Sequence, residues 1–204
     1  LEQLISSLSN FGSQFADSLS AARLDHNALK RLLPDMKMRL KAGNNNPLQQ
    51  MLAMAGYGFD TLSAHLTTNP TDGLNATADI SGFRTGAIML EHSELVIRQD
   101  SDALQLHALV ENTNKKNPNR FRAVVDGNLL SDGFRLMANF KDDKGREGIN
   151  IGTHATLDGK GGISLTLIPE VSTLAYRHFK INPDNFLSID GVLVRLTVAG
   201  SNGD

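Results

Sequence analysis

A chain of 204 residues, 40% hydrophobic and 21% charged, has room for one or two folded domains and is not globally disordered. Its net charge of −2 gives no basic field of the kind that marks nucleic-acid binders, so nucleic acid is not an expected partner. The absence of Cys excludes disulfides, thiolate metal sites and a thiol nucleophile. Because the first residue is Leu1, a segment of a larger protein is expected. The chain has neither a signal-peptide pattern nor an apolar run near the roughly 18 residues of a membrane span, so any membrane anchor of the parent would lie outside it.

The N-terminal stretch, 1–34, has helical period. Leu1, Leu4, Ile5, Leu8, Phe11, Phe15 and Leu19 recur in steps of three and four, and Leu29, Leu32 and Leu33 form a second short stripe. Asp25 is placed to cap the second helix and Pro34 to end it. From 35 to 204 the period becomes two. Met36, Met38, Leu40 and Ala42 alternate with polar residues; Asn46-Pro47 then opens a short helix near 47–56. From Thr61 onward alternations follow one another at intervals of about 10 to 15 residues, broken by turn signals such as Asp72-Gly73, Asp132-Gly133 and Asp142 to Gly145. The stretch from Val171 to Asn185 is less regular and reads as a loop with a short strand. The expected fold is mainly β with N-terminal helices (α+β): an antiparallel meander, curled into a trough or elongated, with the helices covering one face.

The pattern of reactive residues points away from catalysis, and no cofactor or metal is expected. Six His occur, but HxH, HxxxH and HExxH are all missing. His65, His107 and His154 fall at the polar parity of their strands, which predicts a solvated sheet face. No GxSxG elbow is present, and Gly159 to Gly162 lacks the spacing of a phosphate loop. Asp142-Asp143 lacks the alternating acids of a calcium loop. Asp79, Asp100, Asp102 and Asp126 are too scattered to nominate a carboxylate pair. Lys115, Lys116, Arg120 and Arg122 cluster around one turn without stacking aromatics beyond Phe121, the composition of a solvated loop or an anionic headgroup contact.

Three stretches together carry a family resemblance. The first is Leu32-Leu33-Pro34-Asp35-Met36, with the following strand to Gly43, Asn45 to Leu48, and Gly56-Tyr57-Gly58-Phe59-Asp60. The second is Val125-Asp126-Gly127-Asn128-Leu129, and the third is Phe179 to Phe186 leading into the strand ending at Val198. In this order the chain resembles the TamB-type translocation and assembly module proteins of Bacteroides-like bacteria, within the AsmA-like superfamily. The family's acidic-Gly-Thr-Gly stretch has no counterpart; Gly200 to Asp204 stands in its place. The resemblance implies a long curled β-sheet in the periplasm, in a parent protein anchored to the inner membrane. It further implies an apolar side carrying phospholipid or aiding outer-membrane protein assembly, with neighbouring segments of the same parent chain as further partners.

On that view the groove-lining candidates are the one-parity residues Phe121, Ala123, Phe134, Leu136, Phe140, Ile149, Ile151, Leu165 and Leu167. The competing reading of these residues is a plain core under the N-terminal helices. The competing function is a β-sandwich binding or adhesion module of a secreted or surface protein. There Lys115, Arg120 and Arg122, or Asn150 and His154, would meet glycan or protein.

Overall fold

The computed structural model describes residues 6, 9–10, 12–14, 17–18, 24–86, 88–99, 103–114, 119–158, 162–190 and 193–197. The apolar stripe from Leu1 to Leu19 lies outside them. Ser6, Ser9, Asn10, Gly12, Ser13, Gln14 and Asp17 are helical and exposed. The elements that follow are α1 (His26–Arg31), β1 (Met36–Gly43), α2 (Pro47–Met54), β2 (Tyr57–Gly58), β3 (Thr61–Asn69), β4 (Gly73–Thr85), β5 (Ile88–Gln99) and β6 (Ala103–Asn112). Then come β7 (Phe121–Leu130), β8 (Gly133–Asp142), β9 (Glu147–Leu157), β10 (Gly162–Leu174), β11 (Arg177–His178), β12 (Phe186–Asp190) and β13 (Leu193–Thr197).

Local chemistry sets the boundaries. The Asp25 carboxylate accepts from the Ala28 amide at 2.8 Å and caps α1. The Asn46 side chain accepts from the Leu48 amide at 2.9 Å, with Pro47 in the first turn of α2. In the β3–β4 turn, Asn69 Oδ1 accepts from the amides of Thr71 and Asp72, and Gly73 follows at φ 79°. In the β8–β9 turn, Asp142 Oδ1 accepts from the amides of Lys144 and Arg146. The two acids considered for calcium therefore sit in a hairpin, with Asp142 committed to that turn.

All thirteen strands join one antiparallel sheet in the order β1-β3-β4-β5-β6-β7-β8-β9-β10-β12-β13, with β2 beside β4 and β11 beside β10. The order has two ends, β1 and β13, so the sheet is open. It is a single sheet and not the sandwich of the competing reading. Its eleven-strand main order spans about 50 Å across the strands, at about 4.8 Å per neighbour.

From β1 to β8 every pair keeps a single register. Two irregularities follow. The first lies between β8 and β9, near Gly148, where Lys141 stands opposite Glu147 while Phe140 stands opposite Ile149. The second lies in β10, where the residues between Leu167 and Ser172 face only Gly152. Pro169, which has no amide to give to a ladder, falls in that bulge.

The region from Val171 to Asn185 holds a short strand, as expected of it, but its first residues belong to β10. Ser172 to Leu174 complete β10 opposite Ile149 to Ile151, and β11 returns on β10 through a two-residue turn. Ala175 and Tyr176 in that turn both have positive φ, 51° and 64°, the geometry that Asn-Gly usually supplies. The turn is held from outside. The Tyr176 amide donates to the Gly148 carbonyl at 3.1 Å, and the Arg146 guanidinium lies 5.2 Å from the Tyr176 ring centre.

The segment carrying α1 packs at one end of the strands. The Leu24 amide donates to the Ser131 carbonyl, Gln99 Nε2 reaches the His26 carbonyl, and Thr68 Oγ1 donates to the Pro34 carbonyl at 2.7 Å. Leu24, Leu29 and Leu33 are buried there. Of the N-terminal helices expected to cover one sheet face, the Leu1 to Leu19 stripe lies outside the described residues, and α1 caps strand ends instead. The reason is its length: six residues carry only one buried Leu, too little to lie across a sheet.

Close approach fixes one glycine absolutely. A Cβ on Gly133 would fall on the Ala155 carbonyl oxygen of the neighbouring strand. Gly133→Ala should lower the unfolding free energy in urea titrations by about 2 kcal/mol or more, because β8 and β9 must separate to admit the methyl group. Gly12→Ala, at an exposed helical site with open space around it, should be neutral or stabilising by up to about 1 kcal/mol.

Candidate functional site: an open apolar face

Side chains of successive strand residues point to opposite faces, and residues paired across a ladder point to the same one. An unbroken register therefore lines up each parity across the sheet. One row reads Met38, Leu66, Ala76, Ile97, Leu106, Gly127, Leu136, Thr153, Leu167, each opposite the next. The next row reads Leu40, Ala64, Ala78, Leu95, Ala108, Val125, Ala138, Ile151. Nearly every position on this face is apolar. The second row has Ala at four of its eight positions, so a shallow furrow, interrupted at Leu95 and Val125, runs across the strands.

All nine groove candidates lie on this face. Ala123 stands opposite Phe140, and Phe140 opposite Ile149. The Phe121 and Phe140 rings stack with centres 5.9 Å apart. Phe134 and Leu165 flank Ala155 from either side, and Leu136 and Leu167 flank Thr153. None of the nine is buried, and Leu136 and Leu167 remain 38% and 45% exposed. No described element lies over them as a second layer. The buried apolar residues, among them Leu24, Leu29, Leu33 and Ala103, gather instead at the strand ends.

Two apolar hollows mark the face. One, of about 250 Å³, centres on Gly127 and is walled by Ile97, Leu104, Leu106, Leu129, Phe134 and Leu136. A Cβ on Gly127 would meet Leu106 and Leu136 at an ordinary 3.5 Å, so the hollow exists because no side chain fills it. The second, of about 240 Å³, lies where the chain after β11 comes back beside the sheet. Phe179, Lys180, Ile181 and Asn185 wall it against Ile151, Leu167 and Leu174. Sequence reading missed both hollows. The first was signalled only by a Gly at an apolar-parity position, the second only by two apolar residues in an irregular stretch.

The opposite face is polar and carries the charge. His65, His107 and His154 all lie on it. His107 Nδ1 is 2.6 Å from Asp126 Oδ1. His92 Nε2 is 2.7 Å from Asp79 Oδ2, and its Nδ1 is 3.5 Å from Glu111. Asp79 and Asp126, scattered in the sequence, each gain a His on an adjacent strand through shared parity. The basic cluster is partly compensated: Arg122 lies 3.7 Å from Glu111 and Arg120 3.8 Å from Asp143, while Lys115 and Lys116 lie outside the described residues. Asn150 and His154 share the polar face without a joint contact; Asn150 pairs with Asn139 and His154 with Arg135 across β8–β9. Among the described residues no three His, Asp or Glu side chains have the geometry of a metal site. No described helix is long and apolar enough to cross a membrane.

A further polar knot pins β11. Thr173, 2% exposed, donates to Glu147 Oε1 at 2.8 Å, so His178 Nδ1, 2.9 Å from the same hydroxyl, must be the donor to it. Asn139 Nδ2 donates to the other Glu147 oxygen at 3.1 Å. These bonds, the Thr173 hydroxyl foremost, hold the Glu147 carboxyl below its ordinary range.

Comparison with known proteins adds no neighbour: no family model, no curated protein and no solved structure matches the chain.

The Asp79 carboxylate raises the pKa of His92 above 6.5, against the opposing effect of burial. A raised folded-state value means that the protonated ring stabilises the fold below the unfolded imidazole's value, and that this contribution is lost as pH rises through the folded one. The denaturation midpoint of the wild type should therefore fall further than that of His92→Gln between about pH 5.5 and about pH 8.5. Equal changes in the two proteins would mean that the pair contributes nothing.

Proposed function

We propose that this chain is a non-catalytic segment of a cell-envelope protein, similar to the TamB-type assembly proteins, and that its apolar sheet face is a surface for phospholipid acyl chains. The observation that carries this reading is the continuous apolar face of an open sheet, uncovered by any second layer among the described residues. Soluble monomers rarely expose a contiguous apolar patch above a few hundred Å². A face about 50 Å wide on strands of about 10 residues is well beyond that size. Such a face calls for an apolar partner, and the two hollows are apolar-walled recesses of the kind hydrocarbon fills.

The rest of the reading follows from the resemblance. The periplasm is the proposed compartment, in a parent protein anchored to the inner membrane. Outer-membrane assembly proteins are possible clients. Neighbouring segments of the parent chain would pair with the free edges of β1 and β13. In that arrangement the furrow, which runs across the strands, would continue from one segment into the next.

The test is lipid recovery. The purified chain, incubated with phosphatidylethanolamine and phosphatidylglycerol vesicles and then separated from them, should retain lipid detectable by mass spectrometry of an organic extract. Leu136→Glu places a charge on a half-open apolar position, and Gly127→Leu fills the hollow without moving backbone. Each should cut retained lipid by about tenfold, the effect of losing about 1.4 kcal/mol, while leaving the far-ultraviolet circular dichroism unchanged. Wild-type protein that retains no lipid, or variants that retain as much as wild type, would count against the acyl-chain surface.

A further inference from the structure

The polar face holds a cavity that the lipid reading does not use. It measures about 460 Å³ and lies over the middle of β5, β6 and β7. Two cross-strand rows build its polar floor. Arg98 stands opposite Gln105 and Gln105 opposite Asn128; Val96 stands opposite His107 and His107 opposite Asp126. Three adjacent strands thus give two side chains each to one patch about 10 Å across.

The chemistry of these six residues is specific. Arg98 is exposed and has no carboxylate partner among the described residues, so its fork of donors is open to an anion. His107 offers Nδ1 to Asp126 Oδ1, which leaves its Nε2 and Asp126 Oδ2 as acceptors for hydroxyl groups. The Asn128 carboxamide carries both donors and an acceptor, and Gln105 lies between it and Arg98. Val96 and Leu106 supply the apolar lining of the cavity. A ligand matched to this set has a carboxylate at one end, several hydroxyls about 3 Å apart, and a small C–H surface. A simple anion would use Arg98 alone and meet Asp126 unfavourably. A neutral polyol would leave Arg98 unused.

We propose that this cavity binds an acidic sugar, a uronic-acid-type carboxylated saccharide, with the carboxylate on Arg98 and the ring hydroxyls on Asp126, His107 and the Asn128 amide. The site is independent of the acyl-chain surface, because the two lie on opposite faces of one sheet. Either can fail without the other.

Amide chemical-shift titration of the full chain tests it, with D-glucuronate, D-glucose and acetate as separate probes. Glucuronate should shift the amides of residues 96–98, 105–107 and 126–128 with saturation in the millimolar range, and at least about tenfold more tightly than glucose or acetate. Arg98→Met should remove that tenfold advantage and leave the weak glucose response. Asp126→Asn should weaken glucuronate and glucose alike. Both residues are exposed, and the unshifted remainder of each spectrum reports that the fold is intact. Equal affinity for acetate and glucuronate, shifts confined to other strands, or an Arg98→Met protein that binds glucuronate as wild type does would each overturn the proposal.

Discussion

Everything in this structure depends on register. A strand alternates its side chains with period two, so a slip of one residue in any ladder would move that strand's apolar set to the polar face. From β1 to β8 no slip occurs, and the result is one apolar and one polar face continuous across the sheet. The hairpin turns enforce this. Asn69 and Asp142 each lock a turn through side-chain bonds to amides within it, and a locked turn leaves the following strand a single register. Where the register does shift, the chain has placed residues that tolerate a break in pairing: Gly148 at one point and Pro169 at the other.

The two faces are stabilised by different means. On the polar face the ladder brings acids and bases from distant sequence positions within bonding distance, as in His92 between Asp79 and Glu111. These pairs are partly exposed and worth little each, but they disfavour wrong registers, which would set like charges opposite. At the strand ends, buried amides do the equivalent work. Gln99 accepts from the Leu74 amide and reaches the His26 carbonyl. Asn112 accepts from the Glu91 amide and donates to the Met89 and Asn119 carbonyls. The segment from Leu24 to Pro34 therefore closes one end of the sheet with both buried Leu side chains and satisfied backbone groups.

Much of this was legible in the sequence, and the exceptions have identifiable causes. Alternation from Met36 onward located the strands, and Asp25, Asn46 and Pro47 located the helix starts, because those signals are local. The parity of Phe121, Ala123 and the other seven groove candidates placed them on one face before any pairing was known. What alternation does not encode is which strand lies beside which. The Asp79–His92 and Asp126–His107 pairs, and the cavity shared by Arg98, Gln105 and Asn128, needed the ladder itself. The β10–β11 turn escaped notice for another reason. Ala175-Tyr176 is a poor turn sequence, made possible by Arg146 and the Gly148 carbonyl, which lie some 30 residues away. The expectation that helix would cover sheet failed at α1 because six residues bury too little surface to act as a layer.

No described element covers the apolar face, and that sets how a hydrocarbon would behave on it. Fully burying a Leu or Phe side chain yields about 1.5–3 kcal/mol, and residues such as Leu136 and Leu167 leave part of that unrealised while the face is open to water. A bound acyl chain would recover it. The row from Leu40 to Ile151, with Ala64, Ala78, Ala108 and Ala138 in it, gives such a chain a bed across the strands, beside rows that hold Leu66, Leu106, Leu136 and Phe140. Successive strands offer nearly the same apolar surface at spacings of about 4.8 Å. Moving by one strand then exchanges one set of contacts for a similar set. Binding on such a surface is spread over many weak, equivalent contacts rather than concentrated at one strong site. That combination favours retention without fixed position, the physical requirement for a surface along which a lipid travels.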